Sequence, residues 1–148
     1  MQFFVDIWSN EPLKCAAFSW ATAQFIKVLI DLWLNKKLDW HRCFGMGGMP
    51  SSHTALVVAL VISIAFQDGA GSSTFAVSFM LAAVVIYDAL GVRRETGRQS
   101  EVLNQIVTHV LVEGKPITEK QLKELVGHTP LEVLGGLIVG ITVTLIFI

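Results

Sequence analysis

At 148 residues the chain has room for one domain, and 53% of it is hydrophobic against 16% charged, with a mean hydropathy of +0.60. That balance is too apolar for an ordinary soluble protein and points to a lipid bilayer, with charge gathered into a few stretches. A net charge of −1 offers no basic surface to nucleic acid, and the two cysteines, Cys15 and Cys43, form neither a CxxC nor a Cys/His spacing, which argues against zinc and against a disulfide framework.

The N-terminal dozen residues carry Asp6 and Glu11 but no Lys or Arg. They lack the basic start of a cleavable signal peptide, so the first helix is expected to be retained. Four apolar segments follow, at residues 13–34, 51–66, 74–90 and 131–148. A full crossing needs about 20 residues, so the second, at 16, is short. The expected architecture is all-α: a single membrane domain over 1–148, with about four transmembrane helices and amphipathic cytoplasmic helices in the connection 91–130. Val102, Leu103, Ile106, Val107, Val110 and Leu111 recur at helical spacing and predict an amphipathic helix over 98–112. Thr118 to Gln121 reads as a capping box for a short helix closed by Gly127.

Basic residues set the orientation. Lys36, Lys37, Arg42, Arg93, Arg94, Arg98, Lys115, Lys120 and Lys123, nine of the 11, fall in the first and third connections, and none falls at 67–73. Those connections are expected in the cytoplasm and both termini outside. The first span also holds Gln24, Lys27 and Asp31. Lys27 and Asp31 share a face at i,i+4; Lys27 reads equally well as a functional cation or as a snorkelling side chain.

Three polar clusters converge on the expected cytoplasmic end. Gly45 to His53, a Gly-rich stretch ending in Pro50-Ser51-Ser52-His53, opens the second span; Asp88 with Gly91-Val92-Arg93-Arg94 closes the third; Gly127-His128-Thr129-Pro130-Leu131-Glu132 opens the fourth. Two histidines, two arginines and two helix N-termini suit a phosphate: guanidinium forks and helix N–H groups bind its oxygens. A neutral histidine can attack phosphorus while a protonated one serves the leaving oxygen. Each piece has a plainer reading. Arg93 and Arg94 suit positive-inside anchors, the Gly/Ser run suits a tight turn, and Thr129 to Glu132 reads as a capping box with Pro at the first helical position. His41 and His109 read as solvated, and Trp8, Trp20, Trp33, Trp40 and Tyr87 as interface anchors.

Pro50-Ser51-Ser52-His53 resembles the Pro-Ser-Gly-His motif of the type 2 phosphatidic acid phosphatase and vanadium haloperoxidase superfamily. With Gly47-Gly48-Met49 before it, the Asp88 to Arg94 string and the Gly127 to Val133 string, nearly the whole chain resembles the divergent bacterial and plastid branch of that superfamily. The resemblance implies His128 as nucleophile, Glu132 as its orienting carboxylate, and His53 as general acid. It implies Ser51, Ser52, Arg93 and Arg94 as phosphate ligands, with Asp88, Gly47 and Gly48 as further site candidates. There are departures: Ser52 stands for Gly, Glu132 for Asp, and 33 residues separate Arg94 from His128 where the family has five. No Lys-x6-Arg-Pro motif is present, leaving Lys27, Lys36 or Lys37 to fill its role. The implied activity is phosphomonoester hydrolysis on a lipid phosphate (phosphatidylglycerophosphate, phosphatidate or an isoprenyl phosphate) through a phosphohistidine, with no metal or other cofactor. The expected setting is the bacterial inner membrane, with the site on the cytoplasmic face and membrane lipids around it. A homodimer is expected, because four short helices bury little surface. The alternatives are a lipid-phosphate or anion binding or transport protein without hydrolysis, and a metal site built from His53, Asp88, His128 and Glu132.

Overall fold

A computed structural model describes residues 1–36, 48–91, 99, 103 and 129–148, which are all-helical, with no strand among them. Five helices follow in order: α1 Gln2–Ser9, α2 Glu11–Asn35, α3 Ser52–Asp68, α4 Ser73–Leu90 and α5 Pro130–Phe147. Of the connection at 92–128, only Gln99 and Leu103 are described, both helical and exposed. The rest of the expected 98–112 helix and the whole 118–127 helix lie outside the described residues.

Local chemistry sets the boundaries. Asn10 takes an extended conformation and breaks α1 from α2, and its side chain accepts the Leu13 N–H at 3.0 Å to cap α2, with Pro12 in the first turn. Ser51 caps α3 and Ser72 caps α4, each through its hydroxyl. Gly69, at φ +83, ends α3, and residues 69–72 turn the chain tightly into α4, so those two helices run antiparallel. At α5 the capping box is complete: Thr129 Oγ1 accepts the Glu132 N–H at 3.3 Å, and Glu132 Oε2 accepts the Thr129 N–H at 3.2 Å.

Three helical stretches, Glu11–Leu34, Ser73–Leu90 and Pro130–Phe147, are long and apolar enough to cross a bilayer. The expected fourth, α3, is shorter at 17 residues, about 25 Å at the usual helical rise. It is one residue shorter than α4 and α5, and it is the central helix, packed against α2, α4 and α5, so it need not meet lipid along its whole circumference.

Close packing around α3 rests on small side chains. Ser52, Ala55, Ala59 and Ser63 of α3 and Cys15, Ala16, Ser19 and Ala23 of α2 are all buried. On α5, Gly136 and Gly140 abut the Ser51 and Ala55 carbonyls. Gly136 meets Ser51 and Thr54 while Gly140 meets Ala55 and Val58, so α3 and α5 run parallel. Phe18 stacks on Phe147 at one end, with ring centroids 4.7 Å apart, and Lys27 lies within electrostatic range of Glu132 at the other. Helix α2 is therefore antiparallel to α5. On α4, Val77, Met80, Val84 and Tyr87 are exposed along one face, the outward surface a membrane helix turns to lipid.

Candidate functional site

The N-terminus of α3 is built by its neighbours. Gly48 adopts φ +89, where a residue with a side chain would be strained, and Met49–Pro50 is a cis peptide. The Gly48 backbone lies over the aliphatic stem of Lys27: a Cβ there would stand 3.6 Å from both Lys27 Cγ and Cδ. The Ser51 N–H donates to the Glu132 carbonyl at 2.9 Å, tying the start of α3 to the first turn of α5. The Ser51 hydroxyl accepts the Thr54 N–H at 3.4 Å and the Thr54 hydroxyl at 3.0 Å. Pro50 packs under α5, where a Cβ on Gly135 would come within 3.3 Å of it.

One basic side chain enters this junction. Lys27 is only 7% exposed, although a lysine alone in a membrane helix is costly and normally reaches for water. Burial works against its charge, and the Glu132 carboxylate of α5, within electrostatic range, works for it. Of the two described lysines among the three the sequence leaves open, Lys27 is the one at the Gly48–His53 turn. Lys36 is exposed, in a left-handed conformation that closes α2, and Lys37 lies outside the described residues.

The structure thus brings Lys27, Gly48, Ser51, Ser52, His53 and Glu132 to one end of the bundle. Ser51 is fully buried and Ser52 nearly so, which makes Ser51 first of all a helix cap, with one hydroxyl proton left to donate. His53 is half-buried in the first turn of α3. Asp88 is half-buried near the end of α4, at the same end of the bundle because α3 and α4 form an antiparallel hairpin. None of Asp31, His53, Asp88 and Glu132 is without a partner. His128, Arg93, Arg94, Lys37 and Gly47 lie outside the described residues, although Thr129, bonded to His128, is fixed by its own capping hydrogen bonds to Glu132. Among the described residues no three His, Cys, Asp or Glu side chains group as a metal site requires. The sequence reading missed Gly136 and Gly140, whose missing side chains let α5 close on the turn; their Gly-xxx-Gly spacing was the available signal.

The family relationship covers nearly the whole chain. The family model described as Divergent PAP2 family matches residues 8–143. The chain belongs to that family. It is also 40% identical over 152 residues, covering 96% of each chain, to the uncharacterized membrane protein YuiD of Bacillus subtilis (strain 168). No solved structure is significantly similar to it. With its apolar helices and this relative, the chain is a membrane protein of a phosphatase-related superfamily.

Proposed function

We propose that this protein is a lipid-phosphate phosphatase, a phosphomonoesterase whose site opens on the cytoplasmic face of the bacterial inner membrane. The observation that carries the reading is Lys27, a buried lysine packed beneath Gly48 at the N-terminus of α3 and within electrostatic range of Glu132 from α5. A buried positive charge beside a helix N-terminus is a setting for a phosphate dianion. Lys27, Ser52 and the N-terminal N–H groups of α3 bind its oxygens, with Arg93 or Arg94 as the bidentate guanidinium.

The chemistry then follows the two-histidine scheme. Neutral His128, oriented by Glu132, attacks phosphorus as the bond to the lipid oxygen breaks, and protonated His53 gives its proton to that oxygen. Water then attacks the phosphohistidine, neutral His53 takes the water's proton, and inorganic phosphate leaves with His128 restored. The test is phosphate release by purified protein from phosphatidylglycerophosphate, phosphatidate and an isoprenyl phosphate, with and without chelator. Chelator-resistant release, lost in His53→Ala and His128→Ala variants that remain folded, is the expected result; full activity in both variants removes the scheme.

A second reading, lipid-phosphate or anion binding or transport without hydrolysis, draws on the polar interior of α2. The Ser19 hydroxyl and the Gln24 Oε1 are buried without a hydrogen-bond partner on the helix that carries Lys27. Tight binding of lipid phosphates with no phosphate release selects this reading.

A further inference from the structure

The three helices around α3 do not close into a complete ring. Helix α5 lies close to both α2 and α4, but no Cα of α2 comes within 8 Å of one in α4 among the described residues. The side of α3 that faces α5 is fixed by the close approach of Gly140 to Val58. At 3.6 residues per turn, His53, Leu56 and Leu60 lie roughly 140–160° around α3 from Val58, on the opposite side. All three are half-buried, as Val58 also is, while Val57 and Ile64 toward the α4 side are buried, so it is the separation of α2 from α4 that places the opening. The open side of the bundle is therefore a seam between α2 and α4, floored by α3. It has His53 at its polar end and leucines running about 10 Å deeper into the apolar part of the bundle.

We propose that this seam holds the hydrocarbon chain of the phosphate lipid, which enters sideways from the inner leaflet. The proposal rests on the phosphatase reading for its head group and adds the site for its tail. The polarity of the seam selects the occupant: a polar, titratable group at the membrane surface continuing into an apolar floor matches an amphiphile aligned with the bilayer. A second protein chain would meet the wider exposed face of α4 first. With the tail along Leu56 and Leu60, the ester oxygen of the lipid lies beside His53, where the leaving group must receive its proton. Leu56 and Leu60 then set chain preference without touching the phosphate.

The experiment uses the full-length protein in lipid nanodiscs with a phosphatidate carrying a photoreactive diazirine midway along one acyl chain. Adducts are mapped by mass spectrometry, and phosphate release is measured in parallel from long-chain and dibutyryl phosphatidate. Adducts concentrated at 53–60 are expected, lost on Leu60→Trp but kept on Val84→Trp, which alters the lipid-facing side of α4. Leu60→Trp is also expected to raise KM for the long-chain lipid and leave dibutyryl phosphatidate unchanged. Adducts spread over Val77, Met80 and Val84 of α4, or unaffected by Leu60→Trp, overturn the proposal, and the wild-type map alone decides it should the variant fail to fold. Adducts in the seam without phosphate release keep the lipid site and remove the phosphatase reading; release with adducts elsewhere does the reverse.

Discussion

Replacing Gly136 with Ala should loosen the junction that holds the candidate site together. The new Cβ would collide with the Ser51 carbonyl oxygen and stand 2.8 Å from Thr54 Cβ, about 0.6 Å short of the 3.4 Å at which such contacts become ordinary. Both obstacles are fixed, one being backbone and the other the base of a buried side chain, so the helices must separate by at least that amount. The same movement stretches the 2.9 Å bond from the Ser51 N–H to the Glu132 carbonyl to about 3.5 Å, where it is lost. Overpacking costs about 1–3 kcal/mol and the lost hydrogen bond about 1 kcal/mol, while alanine regains about 1 kcal/mol of helix propensity. The net loss is about 1–3 kcal/mol, a factor of roughly 5 to 150 in the folded-to-unfolded ratio. Gly135→Ala is the control: the atoms nearest its Cβ are Pro50 Cβ at 3.3 Å, Pro50 Cα at 3.6 Å and the Met49 tip at 3.7 Å, so its stability should stay within about 1 kcal/mol of wild type. Reversible unfolding in mixed detergent micelles compares the two. Equal stability of the two variants would refute the reasoning, because nothing but the tightness of the α3–α5 contact separates them.

Other expectations follow from the same geometry. Lys27→Met keeps most of the packing under Gly48 but removes the charge, so phosphate release should fall by about a hundredfold or more with the fold retained, as measured by circular dichroism beside the activity assay. Glu132→Gln retains a carbonyl oxygen to accept the Thr129 N–H but takes the negative charge from beside the buried Lys27, so stability should fall by more than about 1 kcal/mol and activity by at least about tenfold; full activity in the folded variant would reduce Glu132 to a structural partner. Gly48→Ala forces a side chain into φ +89 and should cost about 1–2 kcal/mol in the same unfolding assay. An impermeant maleimide added to intact cells should miss Cys43, in the first basic connection, until the membrane is permeabilised, and should miss the fully buried Cys15 throughout; labelling of Cys43 in intact cells contradicts the cytoplasmic placement.

Much of the fold was legible because its signals are local. Apolar length and capping residues placed the four long helices within two residues of their observed ends, and Thr129-Pro130-Leu131-Glu132 named its capping box outright. Helix α1 was overlooked, although Phe3, Phe4, Ile7 and Trp8 lie on one face ahead of Asn10 and Pro12, because an eight-residue helix carries little periodicity. That Ser51, Ser52, His53 and Glu132 share one end of the bundle was legible in the motif strings, but the place of Lys27 beside them was not. Choosing Lys27 over Lys36 needs the packing of Gly48 on its stem and the approach of Glu132 from another helix, which are long-range relations that no spacing encodes. Gly136 and Gly140 likewise show their purpose only against the Ser51 and Ala55 carbonyls they let approach.

The central claim is that phosphate passes through a histidine of this chain. Brief mixing of the purified protein with lipid carrying a radiolabelled phosphate, followed by denaturing quench, tests it directly. The account predicts a protein-bound phosphoryl group that is stable in base and labile in acid, maps to His128, and is absent from His128→Ala. Steady phosphate release with no trapped label, or with release undiminished in His128→Ala, would contradict it.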